Sequence, residues 1–128
     1  MVGERAFVAG LEELFGRPRG AMVGIGDDAA VVENRGRHSV LCCDPVIEGV
    51  HFVAADSPYL VGTKVVNRNL ADLAAMGAAP DWLLASIVLP PAYPARRRHA
   101  LLRGIKTAAE RARCHVVGGD VAVADGPL

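Results

Sequence analysis

From its middle onward the chain alternates between helix-forming and strand-forming segments, each closed by proline or glycine, and this succession constrains the fold most. The letters DSP at residues 56–58 favour a helix start, because they offer a side-chain cap followed by proline at the first helical position, and Gly77 favours its end. The apolar run DWLLASIVL at residues 81–89 predicts a buried strand, which the prolines at 90–91 terminate. A helix over residues 58–76 followed by such a strand is typical of a sheet covered by helices.

Apolar spacing predicts two further helices, over residues 4–15 and over about 94–113. Two compact apolar runs, at residues 29–32 and 39–43, predict strands that a turn around Gly36 joins.

Residues 115–117 predict the last strand, and Gly118-Gly119 predicts a tight turn at its end. Together these segments predict an α/β (α+β) fold in which two long helices cover one face of a mixed sheet. At 128 residues the chain fits one domain that spans residues 1–128.

The composition narrows the class of protein. Hydrophobic residues make up 52% of the chain, aromatic residues 5%, and the formal net charge is zero, so we expect a globular fold without a nucleic-acid surface. Three cysteines predict no disulfide framework, and neither a basic signal sequence nor an apolar run of about 20 residues is present. These features predict a cytoplasmic protein with reduced thiols and no membrane partner.

Aspartates stand at the edges of several predicted elements: Asp27 and Asp28 before a strand, Asp44 after one, Asp72 near a helix end and Asp120 after a strand. Carboxylates at the ends of separate elements can converge on one point, and such hard oxygen ligands suit Mg²⁺. Phosphoryl transfer is the chemistry that most needs this arrangement, since it proceeds by positioning and charge neutralisation.

Each of these residues also has a simpler interpretation. Asp27 could cap a turn, Asp44 before Pro45 could be a turn residue, and Asp72 lies four residues after Arg68, the spacing of a helix-surface ion pair. From the residues alone, a satisfied, partly buried histidine is favoured for His51 over a ligand contact.

The adjacent thiols of Cys42 and Cys43 favour core packing over metal binding, because neighbouring strand residues point to opposite faces. The chain has no Walker-type phosphate loop and no dinucleotide fingerprint, so a nucleotide would be held in another way.

Four ordered motifs, GIGDDAAVV, CDPVIEGVHF, NLADLAAMGAAP and VGGD, resemble the N-terminal domain of the thiamine-monophosphate kinase family. That family shares a superfamily with aminoimidazole ribonucleotide synthetase and selenophosphate synthetase. The resemblance implies Mg²⁺-dependent transfer of the γ-phosphoryl group of ATP to thiamine monophosphate, which yields thiamine diphosphate. Two alternatives stay open: another ATP-dependent synthetase of the superfamily, and a non-catalytic nucleotide-binding or dimerisation module.

The resemblance also implies roles for single residues. The aspartates that match the family's magnesium ligands are Asp28, Asp44, Asp72 and Asp120. Gly119 and Asp120 would approach ATP, and His51 would contact the thiamine phosphate. It implies no residue that acts as a catalytic base.

Three departures from the family pattern concern hydroxyl groups. Cys42 and Cys43 stand where Ser or Thr is common, Ala71 replaces a serine and Val121 replaces a threonine. The resemblance also implies that the family's second, C-terminal α/β domain lies outside this chain, which we expect to be only the N-terminal part, and that N-terminal domains pair into a homodimer. We therefore expect a homodimer here.

Overall fold

The computed structural model describes residues 3–126 and residue 128. Residue contacts divide the chain into two compact units. The first comprises Met1–Cys43 and Ala71–Ala78, and the second comprises Asp44–Leu70 and Ala79–Leu128.

The first unit begins with helix α1, Glu4–Phe15, as the apolar spacing predicted. Gly16 ends this helix with a φ of +62°, and its N–H donates to the Glu12 carbonyl oxygen at 2.8 Å. Glycine adopts this conformation without the steric penalty that a Cβ brings.

Three short antiparallel strands follow in the order β1, β2, β3: Ala21–Val23, Ala30–Asn34 and Arg37–Leu41. Arg35 and Gly36, with φ values of 50° and 78°, form the two-residue turn between β2 and β3. Two central residues with positive φ match the twist of a hairpin, and the predicted turn around Gly36 is confirmed. Strand β1 was not predicted.

Helix α2 runs over Pro58–Ala75, one residue shorter than predicted. Gly77 has a φ of +67°, the Ala78 N–H donates to the Leu73 carbonyl oxygen at 2.8 Å, and the Gly77 N–H donates to that of Ala74 at 3.0 Å. This pair of hydrogen bonds is the Schellman end motif, in which glycine closes a helix.

The second unit contains strand β4, Trp82–Leu89, helix α3, Ala95–Arg111, and strand β5, His115–Val123. The two strands pair in parallel, so the chain between them must cross over, and α3 makes this crossover. Helices α2 and α3 pack on β4 through two apolar clusters. The buried members are Val61, Val66, Leu89, Leu101, Ile105 and Ala108.

The backbones of α2 and α3 come into direct contact at two glycines. A Cβ added at Gly62 would collide with the Leu101 carbonyl oxygen and would lie 2.9 Å from the Ile105 nitrogen. A Cβ added at Gly104 would collide with the Tyr59 carbonyl oxygen. Only glycine at both positions permits this close crossing.

Strand β4 is covered on one face only, so the prediction of a buried strand was wrong for half of its residues. Leu83 and Ile87 pack against α2 and α3, whereas Trp82, Leu84 and Val88 are exposed. Because successive strand residues point to opposite faces, the exposed residues form an apolar face on the side away from the helices.

The prediction of a tight turn at Gly118-Gly119 was also wrong, because β5 continues through both glycines and Asp120 to Val123. Gly119 pairs with Ala85 and has a φ of +150°, and a Cβ there would collide with the Ala85 carbonyl oxygen. The glycines allow close approach to the neighbouring strand.

The predicted mixed α/β class with two long helices is confirmed, and the strands form two small sheets, one antiparallel and one parallel. In the part of the chain that the structure describes, no helix combines the length and apolar composition needed to cross a bilayer. The structure contradicts core packing for Cys43, which is exposed; Cys42 is half-buried, and only Cys114 is fully buried. Cys43 follows the end of β3 and leaves the sheet.

Candidate functional site

Asp44 is held by the side-chain amide of Asn69. The Asp44 N–H donates to Asn69 Oδ1 at 2.9 Å, and Asn69 Nδ2 donates to the Asp44 carbonyl oxygen at 2.9 Å. The same Nδ2 also donates to the Val65 carbonyl oxygen one turn back on α2, at 2.9 Å. One planar group therefore satisfies both backbone polar groups of Asp44 and fixes this residue to the helix.

The Asp44 carboxylate forms an ion pair with Arg68, in which Arg68 Nε donates to Asp44 Oδ2. Arg68 thus bonds to a residue 24 positions away along the chain. Both side chains remain partly exposed, 41% for Arg68 and 32% for Asp44, so solvent screens their attraction.

His51 lies in a compact turn of the loop between Asp44 and α2. The His51 N–H donates to the Ile47 carbonyl oxygen at 2.8 Å, and the Ile47 N–H donates to His51 Nδ1 at 3.0 Å. Because Nδ1 accepts a hydrogen bond, a neutral His51 carries its proton on Nε2. The ring therefore has a fixed orientation and a donor on its outer nitrogen.

Lys64 connects this turn to α2, since its Nζ donates to the His51 carbonyl oxygen. Lys64 and Arg68 are separated by four residues and lie on one face of the helix. They line a shallow, open depression of about 450 Å³ on the surface of α2, which we call the α2 groove; its other lining residues are Leu60, Thr63 and Asn67. The two basic residues therefore place His51 and Asp44 along the same side of α2.

The last predicted site residues of the second unit lie on β5. Asp120 is exposed and pairs in register with Ser86 of β4. Its neighbour Gly119 is required by its contact with Ala85, whether or not a nucleotide binds there.

In the first unit, Asp28 is exposed, and its N–H donates to Asp27 Oδ1 at 2.9 Å. Asp27 thus accepts a local hydrogen bond, as its interpretation as a capping residue predicts. Asp72 lies in the last turn of α2 and is half-buried.

Within neither unit do three His, Cys, Asp or Glu side chains of the described residues lie close enough together to hold a metal ion. Mg²⁺ seldom uses such a cage; it commonly takes one or two carboxylates and completes its coordination with water and substrate phosphates. The predicted aspartates of each unit carry hard oxygen donors of this kind, so their chemistry fits a Mg²⁺ that is shared with a phosphate-bearing substrate.

Three functional candidates escaped prediction from the sequence: Lys64, Arg68 as the partner of Asp44, and Asn69. Asn69 left a weak signal, because asparagine is a poor helix former in a helix interior and prefers to bond to backbone groups elsewhere. Arg68 and Asn69 lie 24 and 25 positions from Asp44, so the spacing of neighbouring residues could not predict these contacts.

The fold and the site together define a mixed α/β protein in which one helix presents two basic residues beside an aspartate whose backbone is fixed. A model of the AIR synthase related protein, N-terminal domain, matches residues 26–128, which is most of the chain. The chain belongs to this family.

Individual relatives agree with this assignment. The thiamine-monophosphate kinase of Rhodopirellula baltica is 34% identical over 134 residues, covering 98% of this chain and 42% of that protein. The thiamine-monophosphate kinase of Aquifex aeolicus is 38% identical over 97 residues, covering 76% and 32%.

Among solved structures, AaThiL complexed with AMPPCP and TMP matches with a TM-score of 0.90 at 31% identity, covering 98% of this chain and 39% of that one. The chain thus spans 42% or less of the length of these three relatives.

Proposed function

We propose that the protein transfers the γ-phosphoryl group of ATP to thiamine monophosphate and yields ADP and thiamine diphosphate. The bond between the γ-phosphorus and the β,γ-bridging oxygen breaks, and a phosphate oxygen of thiamine monophosphate forms the new bond. One observation carries the proposal: a chain that matches AaThiL complexed with AMPPCP and TMP places His51 and Asp44 in contact with the two basic residues of the α2 groove.

The charges of the α2 groove suit this pair of substrates. Lys64 and Arg68 lie four residues apart on one face of α2, where their positive charges attract phosphate groups. His51, whose carbonyl oxygen accepts from Lys64, carries a donor on Nε2, and we assign this side chain to the phosphate of thiamine monophosphate.

Mg²⁺ would be held by Asp28, Asp44, Asp72 and Asp120. When bound, it neutralises the charge that the phosphates carry in the transition state. The acceptor oxygen is already ionised near neutral pH, so the chain's residues need only orient and bring together two anions. This explains why no general base is required among the site residues.

We assign Gly119 and Asp120 to the ATP side of the site.

We also propose that a second copy of the chain covers the apolar face of β4. Trp82 and Leu84 are 66% and 74% exposed on that face. Apolar residues exposed together on a sheet commonly mark an interface, which supports a homodimer.

The decisive experiment measures thiamine diphosphate formed from ATP and thiamine monophosphate by the protein at its full natural length, with and without Mg²⁺. Asp44→Asn should lower kcat/KM by about 10²- to 10³-fold, the range for loss of one electrostatic contact to a transition state. Asp28→Asn should lower kcat/KM by a similar factor.

Asp27→Asn is the matched control, because the new amide oxygen can still accept the Asp28 N–H while one negative charge is lost. It should retain most of the activity. ATP binding that depends on Mg²⁺ but gives no product would contradict the kinase and favour a non-catalytic module. ADP formed only with a different acceptor would favour another synthetase of the superfamily.

A further inference from the structure

Asp44 is held in two ways that differ in strength. Its backbone is bonded at both polar groups by Asn69, which is half-buried and anchored to Val65 of the same helix. Among the described residues, the partner of its carboxylate is Arg68, through a partly exposed ion pair. Exposed ion pairs contribute little to stability because water screens them and the long side chains lose entropy.

This difference means that the two contacts respond unequally when a cation arrives. A divalent ion at the Asp44 carboxylate competes directly with the single charge of Arg68. The Asn69 hydrogen bonds involve no charge on the carboxylate and are unaffected by this competition. The backbone of Asp44 therefore keeps its place while the counter-ion of its carboxylate changes.

We propose that Arg68 is the exchangeable counter-ion of Asp44: it compensates the carboxylate before a divalent cation binds and moves away when the cation arrives. Arg68 lines the α2 groove, so once released it adds its charge to that of Lys64 beside the phosphates. This inference rests on the assignment of Asp44 as a Mg²⁺ ligand in the proposed function. Arg68 is a positioning residue in this scheme.

The test is the binding of Mn²⁺ alone, followed by electron paramagnetic resonance, to the protein at its full natural length and without nucleotide. Arg68→Gln removes the competitor and should tighten Mn²⁺ binding by about two- to fivefold, as expected for the loss of one exposed ion pair. Arg68→Lys keeps the charge and should restore an affinity close to that of the wild type.

Two controls separate this exchange from a general effect of charge. Arg103→Gln removes an exposed positive charge from α3 and should change the affinity much less. In a protein that already carries Asp44→Asn, Arg68→Gln should no longer tighten Mn²⁺ binding, because the carboxylate for which Arg68 and the cation compete is gone. The four proteins form a double-mutant cycle that measures this competition.

The outcomes distinguish the exchange from the proposed function. If Asp44→Asn weakens Mn²⁺ binding but Arg68→Gln does not tighten it, or if Arg103→Gln tightens it equally, the exchange is wrong and the ligand assignment stands. If Asp44→Asn leaves Mn²⁺ binding unchanged, Asp44 is no ligand, and both proposals lose their basis at this residue.

Discussion

Gly62 and Gly104 face each other across the α2–α3 crossing, and each leaves room for the backbone of the opposite helix. An added Cβ at either position would collide with a main-chain carbonyl oxygen, of Leu101 or of Tyr59. Main-chain atoms cannot rotate away as a flexible side chain can, so the two helices would have to separate.

Alanine at either glycine should therefore destabilise the protein by about 3 kcal/mol or more, at the upper end of the usual cost of overpacking. Urea unfolding followed by circular dichroism gives the free energy of unfolding. Gly10→Ala is the control, since nothing lies within 4 Å of its added Cβ in α1. It should stabilise the protein by about 0.5 to 1 kcal/mol through helix propensity, and equal losses in all three variants would contradict the crossing.

Alanine should have very different effects on stability at two adjacent glycines of β5, Gly118 and Gly119. Gly119→Ala places a Cβ against the Ala85 carbonyl oxygen at a φ of +150° and should abolish cooperative folding or lower the melting temperature strongly. Gly118→Ala meets only the Leu84 Cδ2 atom at 3.5 Å, an ordinary contact, and should be tolerated. Thermal unfolding of the two variants measures this difference. Similar melting temperatures would show that β5 does not lie against β4 as described.

The cysteines should differ in reactivity. Burial raises the pKa of the Cys114 thiol, and the nearby Asp81 carboxylate raises it further. Since the thiolate is the nucleophile, Cys114 should resist iodoacetamide at pH 8, whereas exposed Cys43 should react. Mass spectrometry of the alkylated peptides measures both rates, and in concentrated urea the rates should converge.

The raised pKa of Cys114 makes the stability of the fold depend on pH. Because the pKa is higher in the folded state, the unfolded chain releases the proton first as the pH rises, so this group destabilises the fold above the ordinary thiol pKa of 9.0. Cys114→Ala should reduce that alkaline loss, and an unchanged slope of stability against pH would exclude the thiol as its source.

The apolar face of β4 provides a test of the homodimer. Leu84→Lys places a charge among exposed apolar residues and should shift the protein toward the monomer in light scattering coupled to gel filtration. Val50→Lys, at a comparably exposed loop position, should leave the mass unchanged. A wild-type protein that stays monomeric at high concentration would overturn the dimer.

The elements that could be predicted are those whose information is local. Helix α1 begins and ends where the spacing predicts because its apolar residues and the following Gly16 lie within one short segment. Strand β5 was predicted too short because the need for Gly119 comes from Ala85 on another strand. The exposed face of β4 was missed for a similar reason, since a sequence does not say how many faces of a strand its helices cover.

The candidate site shows the same limit. Asp44 was identified from its place at a strand end, the resemblance to a family added the role of His51, and both roles stay predictions. The local spacing on α2 allowed a pair between Arg68 and Asp72, whereas Arg68 forms its ion pair with Asp44, which is distant in the sequence. Asn69 was missed because its two partners, the N–H and carbonyl of Asp44, lie 25 residues earlier in the chain.

The clamp between Asn69 and Asp44 has a consequence for how the protein can diverge. Since the position of Asp44 is set by a helix residue, it does not depend on the length of the loop that follows. Insertions and deletions after the His51 turn and before α2 should therefore be accepted without moving the backbone of Asp44. Natural variation in the family should then change loop length in this segment, while an amide-bearing residue is retained at the position of Asn69.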